Sequence, residues 1–351
     1  MNELPELRPS DLAPGGGLDI PALFERVEQM LLGGPREYTR AQVAEVAEMS
    51  PEQASLLWRA LGFATVGDDE VVFTSGDANA LRQASFLSEN LIGDDELRLA
   101  ITRLLGRTFS RLASWQGQLL IELVRTKPEL LASEASVIEF VEGVVPVMQE
   151  IQAFVWRRQL VAYFSRIASH EAGEISPPGV ATVAVGFVDM AGFTTLTRKA
   201  SEVELRELLE AFEATATDVV GTYGGRIVKT IGDEILFVAD TAAQGALTAV
   251  SMQDAARTDE RLPPLRIGIA AGPVVSRLGD VYGTTVNIAS RLTSICRPGW
   301  VLVDRVMAET LREDSRFTLR SRRPESVRGY HHLRQWRLRR ADEGRPDAKS
   351  G

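Results

Sequence analysis

The stretch Gly224-Gly225-Arg226-Ile227-Val228-Lys229-Thr230-Ile231-Gly232-Asp233-Glu234-Ile235-Leu236-Phe237 decides the fold of the second half of this 351-residue chain. Apolar and β-branched runs flank Gly232-Asp233, so Arg226 to Ala239 reads as a hairpin turning at Gly232, with the carboxylate of Asp233 at its tip. Some 40 residues upstream, Phe187-Val188-Asp189-Met190-Ala191-Gly192-Phe193-Thr194 puts a second carboxylate at the end of a buried strand that begins at Thr182. The small-residue turn after it lets backbone amides approach a triphosphate, while Asp189 offers oxygen to a hard cation. On adjacent strands, Asp189 and Asp233 would bridge two metal ions about 4 Å apart. Taken singly, either aspartate reads as a turn residue or helix cap. As a pair, each inside its longer context, they read as a metal site.

Outward from the hairpin, strands and helices alternate. Glu202 to Tyr223 contains a helix with Leu205, Leu208, Leu209 and Phe212 on one face, and Leu265 to Ala271 and Gly299 to Val303 are further strands. This half is therefore an α+β sheet domain. The first half has a different texture. Leu23, Val27, Met30 and Leu31, and again Leu97, Ile101, Leu104 and Leu105, recur at helical spacing. A long helix is expected from Val144 to Ile167 with Pro146 near its start, and Glu70 to Thr74 is the one expected strand. His170 to Gly179, rich in Gly, Pro and Glu, is the domain linker. The expected organisation is a flexible leader over 1–20, a mainly α-helical domain over 21–169, a linker over 170–180, a catalytic domain over 181–340 and a disordered tail over 341–351.

Bulk composition narrows the function. The chain has 39 basic and 48 acidic residues, a formal net charge of −9, which gives no encouragement to nucleic-acid binding. The one cysteine, Cys296, excludes an internal disulfide and reads as a buried packing residue in a reducing compartment. The acidic N-terminus lacks the apolar core of a signal peptide, and no apolar run is long enough to span a membrane, so a cytoplasmic protein is expected.

The segments FVDMAGFT (187–194), GGRIVKTIGDEILF (224–237) and GDVYGTTVNIASRL (279–292) resemble, in order and spacing, the three signature segments of class III adenylyl and guanylyl cyclase catalytic domains. The resemblance covers about residues 180–340 and implies a ferredoxin-like class III cyclase fold. It also implies adenylyl cyclase activity on ATP with two Mg²⁺ or Mn²⁺ ions per site. Asp189 and Asp233, with Met190, match the metal-binding set, and Phe193 and Thr194 fall in the substrate-binding turn. Lys229 and Asp280 match the donor and acceptor for adenine, a pair that mismatches guanine. Asn287 and Arg291, four apart on one helical face, match the residues that orient the ribose and stabilise the α-phosphate. Arg328 stands where the family has a phosphate-binding lysine, a departure that keeps the charge. Ala270-Ala271 replaces a His-Thr pair, for which a packing difference alone is expected. In this family each site forms between two chains, so the resemblance implies a homodimer. Asp189 and Asp233 would come from one copy, and Lys229, Asp280, Asn287, Arg291 and Arg328 from the other.

For the first half, Tyr38 to Phe63 resembles a helix-turn-helix, with Glu70 to Thr74 as a wing. The alternative function it raises is a nucleotide-sensing transcription regulator. Its second helix carries Glu52 and only Arg59 as a base, so a structural helical pair is preferred. The arrangement as a whole resembles actinobacterial cyclases with an N-terminal regulatory domain, some of them responsive to pH. A protonation switch at His170 is weighed against an exposed linker histidine, which is preferred. The apolar helices around Phe140, Phe154, Trp156 and Phe164 are read as core or dimer contacts ahead of a site for a lipid or small-molecule effector.

Overall fold

A computed structural model describes residues 19–87, 94–170 and 180–341. The leader up to residue 18, linker residues 171–179 and the tail from 342 lie outside the described residues. The chain divides into two compact units at residues 173/174.

In the first unit, local sequence signals set the helix boundaries. Helix α1 (Ile20–Leu32) is capped by the Asp19 carboxylate, carries Pro21 in its first turn and ends at Gly33 in the left-handed conformation. Helices α2 (Arg40–Val46) and α3 (Pro51–Ala60) each open on a reciprocal capping box, Thr39 with Gln42 and Ser50 with Gln53. With α4 (Ser75–Leu87) they enclose a small core of Val43, Ala44, Ala47, Ala54, Leu57, Phe73, Ala78 and Leu81. The expected strand at Glu70 to Thr74 shrinks to a single bridge, Tyr38 with Phe73. The physical reason is that Tyr38 lies two residues before α2, which leaves no extended partner backbone to lengthen the ladder. Helices α2 and α3 follow one another across a short turn, and α3 carries Arg59 as its one basic residue, so it presents no basic face.

Helix α5 (Asp95–Thr126), capped by Asp94, and a short 3₁₀ turn lead into α6 (Glu134–His170). Helix α6 begins ten residues before the expected Val144, so Pro146 lies inside it and not near its start. Its missing N–H leaves the Glu142 carbonyl without the usual donor, a cost the helix absorbs. His170, expected in the linker, is the last residue of this helix.

The second unit holds an α+β fold around one mixed sheet. Its elements are β1 (Val180–Met190), α7 (Phe193–Thr197), α8 (Glu202–Thr222), β2 (Arg226–Ile231), β3 (Glu234–Ala239), α9 (Ala242–Thr258), β4 (Leu265–Arg277) and β5 (Asp280–Tyr282). Then follow α10 (Thr284–Ile295), β6 (Trp300–Val303), α11 (Arg305–Thr310), β7 (Phe317–Ser321), β8 (Glu325–Val327), β9 (Tyr330–Leu333) and β10 (Trp336–Arg340). The sheet order is β2-β3-β1-β4-β6-β10-β7, with β5 added on β4 and β8-β9 a separate hairpin. Among the described residues, only β4 and β6 pair in parallel.

Alternation along β1 assigns the two sheet faces. Ala184, Val188 and Met190 join Ile235, Phe237, Ile267 and Ile269 in the core that α8 and α9 cover with Phe212 and Met252. Val183, Val185 and Phe187 join Leu236 and Ala270 under α10. Gly268 lets α10 lie close, because a Cβ there would stand 2.3 Å from the Thr293 amide nitrogen. The Ala270-Ala271 pair lies within this packing: Ala270 is fully buried, and the Ala271 amide donates to the Asp304 carboxylate.

Candidate active site

Asp189 is the penultimate residue of β1. Strand register places it opposite Glu234 on β3 and opposite Arg266 on β4, so the three side chains share the sheet face of Phe187. Asp233 occupies the β2-β3 turn after Gly232, whose φ of 62° only glycine adopts at no cost. Its carbonyl accepts from the Met190 amide at 3.2 Å, which ties the hairpin tip to the end of β1.

The electrostatics of this corner follow from the crowding. Burial, then the neighbouring Asp233 charge, pushes the Asp189 carboxyl up to about 6, with Arg266 opposing. Burial, then the charges of Asp189 and Asp233, pushes Glu234 up to about 7. The cation nearest at hand, Arg266, holds Asp189 at 3.6 Å, and its Nε is buried with no hydrogen-bond partner among the described residues. Negative charge therefore exceeds positive here, and the donors are oxygen, which suits Mg²⁺ or Mn²⁺ over softer ions. Among the described residues no three His, Cys, Asp or Glu side chains form a metal cage. The carboxylates of Asp189 and Asp233 are thus the oxygen donors that the fold brings together at this corner.

Glu234 and Arg266 escaped the sequence reading. Glu234 had a usable signal, since it follows Asp233 and starts the returning strand. Arg266 had none, because its meeting with Asp189 depends on the β1–β4 register. Phe193 opens α7 and packs against the α8–α9 core, while Thr194 is exposed.

A second cluster forms beside the first. A bulge at Val228 brings Lys229 opposite Leu236 on β3. Its ammonium donates to Asp280 Oδ2 at 2.5 Å, joining residues 51 apart in sequence. Burial raises the Asp280 carboxyl, but hydrogen bonds from Lys229 and the Val281 amide outweigh it, and the net direction is downward. The two side chains remain 37% and 24% exposed, so a donor and an acceptor stand side by side within reach of a ligand.

Asn287 is exposed on α10 and Arg291 half-buried one turn later. Arg328 is exposed in the two-residue turn between β8 and β9, next to Gly329 with φ 87°. Among the described residues, no side-chain hydrogen bond or ion pair joins these three to Asp189 or Asp233. The fold thus brings Asp189 with Asp233 and Lys229 with Asp280, and leaves the α10 and hairpin residues unconnected to the aspartate pair. Cys296 is buried, and burial pushes its thiol up to about 12, in keeping with packing.

Residues 175–340 match the family described as the adenylate and guanylate cyclase catalytic domain. An adenylate cyclase of Streptomyces coelicolor (strain ATCC BAA-471 / A3(2) / M145) is 43% identical over 308 residues, covering 88% of this chain and 79% of that protein. One of Glutamicibacter nicotianae is 36% identical over 326 residues, covering 89% and 81%. One of Streptomyces griseus is 42% identical over 287 residues, covering 82% and 71%. Coverage this long extends the similarity into the helical unit. No helix among the described residues is long and apolar enough to cross a membrane.

Proposed function

Because this chain belongs to the adenylate and guanylate cyclase catalytic-domain family, we propose that it converts ATP into 3′,5′-cyclic AMP and diphosphate at sites shared by two copies. The observation that carries the reading is the Lys229–Asp280 pair, a donor and an acceptor that the fold sets side by side and leaves within reach of a ligand. Adenine offers a lone pair at its ring nitrogen and a donor at its amino group, which an ammonium and a carboxylate satisfy in that order. Guanine reverses both groups, and a buried polar group left unpaired costs about 1–3 kcal/mol.

Asp189 and Asp233, with the Met190 carbonyl, would hold two Mg²⁺ or Mn²⁺ ions. When bound, these supply Lewis-acid activation of the ribose 3′-hydroxyl and neutralise charge on the triphosphate. The remaining work belongs to side chains. The 3′-oxygen bonds to the α-phosphorus as its bond to the bridging oxygen breaks and diphosphate leaves. Asn287 orients the ribose, Arg291 stabilises the charge that builds on the α-phosphate, and Arg328 grips the departing phosphates bidentately. The turn through Phe193 and Thr194 faces the triphosphate. Two copies are invoked because, among the described residues, no side-chain hydrogen bond or ion pair joins the α10 and hairpin residues to the aspartate pair of their own chain. A second copy would bring them, together with Lys229 and Asp280, to it, giving a homodimer with two equivalent sites.

The test is cyclic AMP formation from ATP with Mg²⁺ or Mn²⁺, by the full chain and by two variants, Asp189→Ala and Asn287→Ala. Each variant alone should be inactive. Mixed and allowed to exchange, they should recover about one quarter of wild-type activity, since half of random dimers carry one intact site of two. Active single variants would refute the residue assignment, and a silent mixture would refute the shared site.

A further inference from the structure

The last strands of the catalytic unit carry a charge opposite to that of the chain. From Arg316 to Arg340 there are nine arginines, no lysine and one acid, Glu325, in a protein whose formal net charge is −9. Strand alternation gathers part of this charge on one sheet face. Arg337 on β10 stands opposite Arg320 on β7 and opposite Leu302 on β6, on the face away from the α8–α9 core. Like charges directly opposite one another on neighbouring strands repel, and the repulsion favours any anion that can lie between them.

A second arrangement brings more cations to the same place. The Arg337 guanidinium lies 3.8 Å from the centre of the Trp300 ring, Arg322 lies 4.9 Å from it and Arg297 lies 5.2 Å from it. Three guanidiniums therefore share one indole. The ring's electron-rich faces attract them, but an indole supplies no counter-charge. Of the acids on either side of β7, Asp314 holds Arg316 and Glu325 accepts from the Gln335 amide. Among the described residues, no ion pair joins Arg297, Arg320 or Arg322 to a carboxylate. Arg297 and Arg320 are exposed, while Trp300, Arg322 and Arg337 are half-buried, so the cluster is held in place and still faces solvent.

Charge complementarity selects the occupant. Each guanidinium presents a planar fork of N–H donors that matches two oxygens of an oxyanion. A carboxylate offers one plane and one charge, enough for one fork. A phosphate chain offers oxygens in tetrahedral array and more than one charge, so forks at different inclinations reach it together. An extended polyanion would also have to lie along a surface whose remaining charge is strongly negative, whereas a compact one would not.

We propose that the arginines gathered around Trp300 form a binding site for a compact phosphate-bearing anion, with Arg297, Arg320, Arg322 and Arg337 as its donors. None of these residues takes part in the proposed reaction, and the site does not rest on that reading.

Isothermal titration calorimetry of the full chain with inorganic diphosphate tests it, with EDTA present so that no metal-dependent binding contributes. Wild type should bind diphosphate, and Arg328→Ala should bind it equally well. Arg297→Gln combined with Arg322→Gln should weaken binding at least about tenfold, and Arg322→Lys, which keeps the charge and loses the fork, should fall between. Arg297 is exposed and Arg322 half-buried, and circular dichroism would confirm that the variants fold. No binding by wild type beyond that of sodium chloride at equal ionic strength, or undiminished binding by the double glutamine variant, would overturn the site. Binding lost in Arg328→Ala and kept in the double variant would place the diphosphate at the reaction site instead. Wild type retained on phosphatidylglycerol vesicles or on a DNA duplex, with no affinity for diphosphate, would overturn the free anion in favour of a headgroup or a nucleic-acid backbone.

Discussion

Replacing Asp189 by asparagine should stabilise the metal-free chain at pH 7.5 even as it removes turnover. Burial and the Asp233 charge push the Asp189 carboxyl from 3.8 up to about 6. The folded chain therefore holds a proton that the unfolded chain has already released between those two values. The associated stability is fully present below about 3.8 and is lost as pH rises through about 6. Fully buried, a difference of that size corresponds to roughly 3 kcal/mol. The Asp189 side chain keeps 24% of its surface exposed and has Arg266 at 3.6 Å, so solvent and the guanidinium screen the penalty to about 1 kcal/mol. Asparagine has the same shape without the charge and should recover most of that. With EDTA present, the urea midpoint of the catalytic unit should rise by about 0.5 M at pH 7.5 and not at pH 4. Mg²⁺ or Mn²⁺ should reverse the order, raising the wild-type midpoint and leaving the variant unmoved. A variant less stable than wild type at pH 7.5, or equally stabilised at both pH values, would refute the electrostatic account of this corner.

Three further outcomes follow from the geometry. Exchanging the Lys229–Asp280 pair, as Lys229→Glu with Asp280→Lys, keeps the ion pair but reverses donor and acceptor; the ratio of ATP to GTP turnover should fall by about 10- to 100-fold. Arg328→Ala should raise KM for ATP and lower kcat as the phosphates lose their exposed cation, whereas Arg328→Lys, which keeps the charge, should stay within a few-fold of wild type in steady-state assays. Gly268→Ala should destabilise the catalytic unit by about 3 kcal/mol or abolish its folding, because the new Cβ would meet α10 backbone atoms at 2.3 and 2.5 Å; thermal melts would read the loss.

How far the sequence could be read depended on whether the information was local. The β2-β3 hairpin was legible because Gly232 and the apolar runs beside it lie within a dozen residues, and the strand ends fall where those runs stop. The helices of the first unit were legible for the same reason, through capping residues such as Thr39 and Ser50. What escaped depends on partners distant in sequence. Arg266 meets Asp189 only through an eleven-pair register between β1 and β4. The lone Tyr38–Phe73 bridge could not be told from a strand, because propensity does not report how much partner backbone is available. Pro146 misled in the opposite sense: a rule that places proline at helix starts met a helix long enough to carry one inside.

The same distinction separates the two clusters of the candidate site. Lys229 and Asp280 come together inside one chain, so their 2.5 Å bond is a consequence of the fold. Among the described residues, no side-chain hydrogen bond or ion pair joins Asn287, Arg291 or Arg328 to the aspartate pair, and their proposed use depends on a second copy. With a site shared by two copies, dilution should lower cyclic AMP formation per chain along the same curve that sedimentation velocity traces for self-association. Turnover that stays constant per chain well below the dissociation midpoint would refute the shared site.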